Sequence, residues 1–269
     1  MKALVNGTPV DALCLLDRGL HYGDGLFETI AILNGKPMLW DRHMQRLNTG
    51  CLKLQLDPPD TKRLRDEVAA VSAHSSRAAV KIILTRGPGG HGYRRAQPTA
   101  QNLIVMLRDW PEPLSDPATN GVAVRWCQLQ LSRQPALAGI KHLNRLEQVL
   151  ARGEWTDDYA EGLLCDTDGN VIEGTMSNLF IVRGGTLQTP DLSESGVAGV
   201  VRAEILDMAT QLGIRAEISR VRKSDVASAD ELFLTNSLIG IWPVTRLESK
   251  SYVVGQITQT LQKASRLTG

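Results

Sequence analysis

Apolar positions along the chain switch between a period of two and a period near 3.6. Residues 24–33 (DGLFETIAIL) read as a strand, closed by an Asn34-Gly35 turn. Residues 40–54 carry Met44, Leu47 and Leu54 in a helical pattern with Asp41 near its start, and a second helix is expected over 60–73. The runs 78–85 (AAVKIILT) and 102–107 (NLIVML) read as buried strands. The stretch 110–121 (WPEPLSDPATNG) gathers three prolines among turn formers and reads as a linker. A strand over 122–131 follows, then a helix over 142–153 with Leu143, Leu146, Val149 and Leu150 on one face. Strands are expected at 159–165, 171–173 and 178–183, with turns at Asp168-Gly169 and Gly184-Gly185. A helix over 200–212 would bury Val201, Ile205, Leu206, Met208, Ala209 and Leu212 and end at Gly213. Strands at 214–219, 231–235 and 243–247 and a helix near 256–266 complete the pattern. Strands interspersed with helices predict a mixed α/β (α+β) protein. Its lobes would be 1–112 and 122–269, joined by 113–121, with a ligand pocket expected where two lobes meet.

Composition narrows the function classes. The chain has 269 residues and a formal charge of +1, which argues against broad nucleic-acid or membrane-surface binding. No window approaches a membrane span, and the first residues lack the apolar core of a signal peptide. Cys14, Cys51, Cys127 and Cys165 are far apart without CxxC spacing, so a cytoplasmic protein with reduced thiols is expected. The five histidines show no ligand-like spacing, so no metal is expected.

Four segments hold candidate chemistry. Lys141, in AGIKHLNRLEQVLAR, falls at the start of the predicted helix, where positive partial charge favours the neutral, nucleophilic amine. Glu173, in DTDGNVIEGTMSNLF, ends a strand before a tight turn, and Ser177-Asn178 open the next strand. Gly196 and Gly199 precede a helix whose first N–H groups belong to Val200 and Val201, an arrangement suited to phosphate. The polar turn Thr235-Asn236-Ser237 could add donors, and Arg46 on the helix at 40–54 could add charge. The glycine-rich loop 85–95 (TRGPGGHGYRR) is neither a P-loop nor a Rossmann fingerprint, yet Arg86, His91, Tyr93 and Arg94 there could meet an anionic substrate. Position alone leaves ordinary readings open: a solvated lysine, a hairpin glutamate, a strand end, a surface arginine and a flexible basic turn.

Taken together and in order, these segments resemble the fold-type-IV family of pyridoxal-phosphate (PLP) enzymes. HYGDGLFETIAILNGKP resembles its N-terminal strand motif, IKHLNRLEQ its cofactor-lysine motif and EGTMSNLF its pyridine-nitrogen motif. GVAGVVR resembles its phosphate cup, and DELFLTNSLIGIWPV its last cofactor strand and turn. The likeness runs from about residue 5 to 247. It implies a two-lobed fold with PLP between the lobes, carried by Lys141 as a Schiff base, and a homodimer. It assigns cofactor contacts to Glu173, Arg46, Ser177, Asn178, Val200, Val201, Asn236 and Ser237.

Within the family, LAGIKHLNRLEQVLAR and RGPGGHGYR look like the aminodeoxychorismate lyase branch. That branch implies conversion of 4-amino-4-deoxychorismate to 4-aminobenzoate and pyruvate on the way to folate. Arg86, His91, Tyr93, Arg94 and Glu28 would then face the substrate. Glu28 departs from the lyase pattern and is shared with the transaminases, so a D-amino-acid or branched-chain aminotransferase is the alternative.

Overall fold

The computed structural model describes residues 3–10, 12–95, 100–110 and 116–265. The chain divides into two units: Met1–Pro111 with Ile140–Asn144, and Glu112–Gly139 with Arg145–Gly269.

The first unit contains β1 (Ala3–Val5), α1 (Arg18–Tyr22), β2 (Gly25–Leu33), β3 (Lys36–Pro37), α2 (Trp40–Leu54), α3 (Thr61–Ser72), β4 (Arg77–Thr85) and β5 (Asn102–Arg108). Its sheet runs β1-β5-β4-β2-β3, with every neighbouring pair antiparallel. Alternation along β2 puts Leu26, Glu28, Ile30 and Ile32 in one buried stripe, whereas Phe27 and Thr29 are only partly covered. Met44, Leu47 and Cys51 of α2 and Leu64, Val68 and Val71 of α3 supply the buried helix stripes. Asp60 caps α3 by accepting from the N–H groups of Lys62 and Arg63.

The second unit contains α4 (Pro117–Asn120), β6 (Val122–Leu131), α5 (Leu146–Arg152), β7 (Glu161–Asp166), β8 (Asn170–Gly174), β9 (Asn178–Arg183), β10 (Thr186–Pro190) and α6 (Val200–Gln211). It continues with β11 (Ala216–Ser219), β12 (Val221–Arg222), α7 (Lys223–Ala227), β13 (Glu231–Asn236), β14 (Gly240–Leu247), β15 (Lys250–Ser251) and α8 (Gln256–Ala264). The sheet order is β11-β10-β9-β13-β14-β6-β7-β8-β12, with β15 added to β14. Both faces of this sheet are covered. Leu163, Val171 and Ile181 join one apolar cluster, and Leu164, Ile172 and Leu131 join another. That is why residues 162–165 of β7 and 179–182 of β9 read as unbroken apolar runs. Phe180 and Phe233 are cross-strand partners and stack at 4.9 Å.

Three expectations change. The helix predicted over 142–153 is only Leu146–Arg152, so Lys141 is not at a helix N-terminus. Residues 141–143 instead lie along β2: the N–H of Phe27 donates to the Lys141 carbonyl at 2.9 Å, and that of Leu143 to the Gly25 carbonyl at 3.0 Å. Backbone groups paired sideways in this way are withheld from a helix. The apolar face of that helix is also not core, since Leu146, Val149 and Leu150 are 75%, 63% and 64% exposed. On α6, Leu206 is only half-buried and Leu212 is exposed. Of the expected linker 113–121, residues 113–115 lie outside the described residues, and Pro117–Asn120 form the short helix α4.

Candidate functional site

In the first unit, Lys141 reaches back over β2. Its Nζ lies 4.5 Å from the centroid of the Phe27 ring, and Lys81 Nζ from the neighbouring β4 lies 5.1 Å from the same centroid. Burial, with a smaller contribution from Arg108, holds the Lys81 amine below the usual lysine range. Two lysines therefore share one aromatic ring, and the sequence motif distinguishes them.

Behind the same strand, Glu28 belongs to the buried stripe of β2 and carries a carboxylate into it. The compensation comes from one face of α2. Arg46 Nε donates to Glu28 Oε1 at 2.8 Å, Arg46 Nη2 donates to Oε2 at 2.5 Å, and His43 Nδ1 pairs with Oε2 at 2.6 Å. Burial pushes the Glu28 carboxyl up, but Arg46 and then His43 outweigh it and hold it at about 2. Burial pushes His43 below the usual histidine range against the pull of Glu28, with the charges of Arg46 and Lys141 adding to the fall. Glu28 is thus a committed partner of Arg46 and His43, with both oxygens occupied.

The glycine-rich loop places its predicted residues unevenly. Arg86 is 2% exposed. It donates to Asp24 Oδ2 at 2.8 Å and to the carbonyls of Leu54 and Gln55, closing the C-terminal end of α2. It is a structural strut, and the sequence expectation of a substrate contact is corrected. His91, Tyr93 and Arg94 stand exposed on the loop.

In the second unit, Glu173 is buried on β8. Its Oε2 accepts from the Val197 N–H at 2.8 Å, with the Asn178 amide at 3.5 Å. Asn178 also donates to the Val197 carbonyl at 2.9 Å, fixing the turn that leads to α6. Two glycines make this closeness possible. A Cβ at Gly196, where φ is +82°, would meet Ile172 at 2.7 Å and Glu173 Oε2 at 3.2 Å; one at Gly199 would meet Asn178 Oδ1 at 1.9 Å. Gly199 is the N-cap of α6, and no side chain caps the N–H groups of Val200 and Val201 that follow. Ser177 donates its hydroxyl to Glu161 at 2.9 Å, so it serves the turn. Asn236 donates to the Met176 carbonyl at 3.1 Å and accepts from the N–H groups of Leu238 and Ile239. Ser237 lies in that second turn, half-buried.

Two residues of this unit were absent from the sequence reading. Glu161 organises the whole 175–177 turn, accepting from the N–H groups of Thr175 and Met176 and from the hydroxyls of Thr175 and Ser177. Its signal was a carboxylate directly before the apolar run at 162–165. Arg145, four residues after Lys141, is half-buried within electrostatic range of Glu173; partial burial holds its guanidinium below the usual arginine range, opposed by Glu173 and Glu147. A conspicuously charged IKHLNR segment was its signal.

Residues 25–247 match the family model for amino-transferase class IV. The chain belongs to the class IV family. An aminodeoxychorismate lyase from Vibrio harveyi is 34% identical, over 96% of this chain and 97% of its own length. A putative branched-chain-amino-acid aminotransferase from Methanocaldococcus jannaschii is 30% identical, over 98% and 94%. Among solved structures, the 4-amino-4-deoxychorismate lyase from Pseudomonas aeruginosa superposes with a TM-score of 0.93 at 45% identity, covering 97% of both chains. The class IV match spans all three segments built above: the Lys141 strand contact, the Glu173 turn and the start of α6. Among the described residues no cluster of His, Cys, Asp or Glu could hold a metal ion, and no helix is long and apolar enough to cross a membrane.

Proposed function

We propose that this chain is a PLP-dependent lyase that converts 4-amino-4-deoxychorismate to 4-aminobenzoate and pyruvate, in the cytoplasmic branch leading to folate. The observation that carries the reading is the 45% identity to the Pseudomonas aeruginosa lyase across 97% of both chains. The chain's own residues fit PLP on three counts. Glu173 is a buried carboxylate suited to a protonated ring nitrogen. The helix start at Val200 and Val201 has no side-chain cap and suits a phosphate. The hydroxyl of Thr235, beside the Asn236-Ser237 turn, is buried without a hydrogen-bond partner.

When bound, PLP supplies an electron sink for charge developing at the amine-bearing carbon of the substrate. The residues divide the remaining work. Lys141 is the attachment point, and its released amine takes the proton from that carbon. Glu173 keeps the ring nitrogen protonated, and Val197 and Asn178 hold Glu173 in place. Val200, Val201, Asn236 and Ser237 bind the phosphate side. Arg46 adds positive charge while its Glu28 contacts fix its direction. His91, Tyr93 and Arg94 face the dianionic substrate. Loss of that proton and of the enolpyruvyl group makes the ring aromatic, and no amino acceptor is required.

A homodimer belongs to this reading, supported by the exposed Leu146, Val149 and Leu150 face of α5. Light scattering should give about twice the 29.4 kDa chain mass; a monomer at micromolar concentration contradicts the dimer. The activity is tested by supplying 4-amino-4-deoxychorismate to the holoenzyme and assaying both products, beside D-alanine with 2-oxoglutarate. Nitrogen transfer without 4-aminobenzoate replaces the lyase with a transaminase.

A further inference from the structure

The loop after β4 has its carbonyls turned towards one buried cation. Arg18, at the start of α1, is 5% exposed. Its Nη1 donates to the carbonyls of Gly92 at 3.0 Å, Arg94 at 3.4 Å and Gly89 at 3.5 Å, and its Nη2 to that of Tyr93 at 3.3 Å. Its backbone N–H donates to the Gly87 carbonyl at 3.0 Å. The guanidinium is itself fixed: Nε donates to Asp24 Oδ2 at 3.0 Å, an oxygen that also accepts from Arg86. Burial raises the Asp24 carboxyl, but the hydrogen bonds from Arg86 and Arg18 leave it below the usual carboxylate range. Neighbouring Asp17 is fully buried and accepts from Thr85, Asn102 and the Gly19 N–H, tying the end of β4 to the same point.

Converging carbonyl dipoles repel one another unless a cation lies between them. A planar guanidinium can serve several at once, whereas an ammonium is a single point on a flexible stem. Gly89 and Gly92, with φ of +113° and +57°, supply backbone turns that L side chains rarely adopt. The result is a loop whose inside is carbonyl and whose outside carries His91, Tyr93 and Arg94.

We propose that Arg18 is a positioning residue for substrate: by gathering the carbonyls of residues 89–94 it sets the loop shape that presents His91, Tyr93 and Arg94 to the substrate carboxylates. The proposal rests on the lyase reading of that loop. Arg18 touches neither substrate nor cofactor in this role. Its loss is therefore expected to weaken binding and leave the bond-breaking step alone.

The test uses the holoenzyme with Arg18→Gln, Arg18→Lys and Gly92→Ala. The last keeps the Arg18–Asp24 anchor and disturbs only the backbone of the loop, so it serves if Arg18→Gln does not fold. Two readouts are taken: KM and kcat for 4-amino-4-deoxychorismate, and the rate of tryptic cleavage after Arg94 or Arg95. We expect KM to rise about 10-fold or more in Arg18→Gln and Gly92→Ala with kcat within about two-fold, the pattern of lost uniform binding. Cleavage should accelerate in parallel, with Arg18→Lys intermediate in both. An unchanged KM in the folded variants overturns the proposal, whatever the cleavage rate. So does a fall in kcat at unchanged KM. If the wild type makes no 4-aminobenzoate, the lyase reading fails by itself; the cleavage assay still reports whether Arg18 orders the loop, and KM is then read with the amino acid that is turned over.

Discussion

The loop at 86–95 and the turn at 196–201 are both rich in glycine, yet they are built with opposite polarity. In the first, carbonyl oxygens converge on the Arg18 guanidinium. In the second, the N–H of Val197 points at the Glu173 carboxylate, and the N–H groups that follow Gly199 open a helix with no side-chain cap. Glycine in a sequence says that backbone comes close to something. The charge at the centre of the turn decides which backbone groups are used up and which remain for a ligand. The cation-centred loop leaves side chains to work with, and the anion-centred turn leaves N–H groups suited to phosphate.

Lys141 stands outside both turns, and its loss should have the largest effect. Lys141→Ala is expected to lower turnover by about 1,000-fold or more, since attachment and proton transfer both need its amine. Borohydride reduction of the wild type followed by peptide mapping should place the cofactor label on Lys141. A label on Lys81, the other lysine at the Phe27 ring, contradicts the assignment. The anion-centred turn breaks next: Glu173→Gln should retain PLP and lower kcat by about 100-fold, within the usual range for a misplaced proton. A wild-type kcat in that variant removes Glu173 from the ring nitrogen.

How far these differences could be read from sequence varies by segment. Most long strands and helices were legible, because β2 and α2 carry readable periods, α6 is bounded by Gly199 and Gly213, and the Asn34-Gly35 turn has its own signature. The Glu173, Asn178 and Val200 cluster lay in consecutive motifs and could be placed together. The environment of Lys141 could not. The IKHLNRLEQ pattern is helical by composition, and only tertiary pairing of 141–143 along β2 withholds its first residues from the helix. Arg86 was misread for a related reason. An arginine beside a glycine-rich loop looks like a ligand contact until Asp24 and the end of α2 are seen to occupy it. Glu28 needed the register of β2 against α2, which a single strand does not reveal.

Smaller effects sharpen the comparison. Arg94→Ala, which removes a side chain from the outside of the cation-centred loop while keeping its carbonyl on Arg18, should raise KM about 10-fold or less with little change in kcat. Glu28 gives a pH signature. Its folded value of about 2 lies below the ordinary value of 4.5, so the ionised form favours the folded state above that range, and the benefit is lost as pH falls towards about 2. Urea midpoints of the wild type should therefore decline steeply over this window. Glu28→Gln should be less stable at neutral pH, because Arg46 loses a buried partner, and should show a shallower acid decline. Equal slopes in the two proteins would mean that Glu28 is not the group lost in acid.

The most direct measurement is the product balance of the holoenzyme given 4-amino-4-deoxychorismate alone. The account predicts 4-aminobenzoate and pyruvate in equal amounts, with no 2-oxo acid added. Absence of 4-aminobenzoate, together with steady nitrogen transfer from D-alanine or a branched-chain amino acid to 2-oxoglutarate, contradicts it.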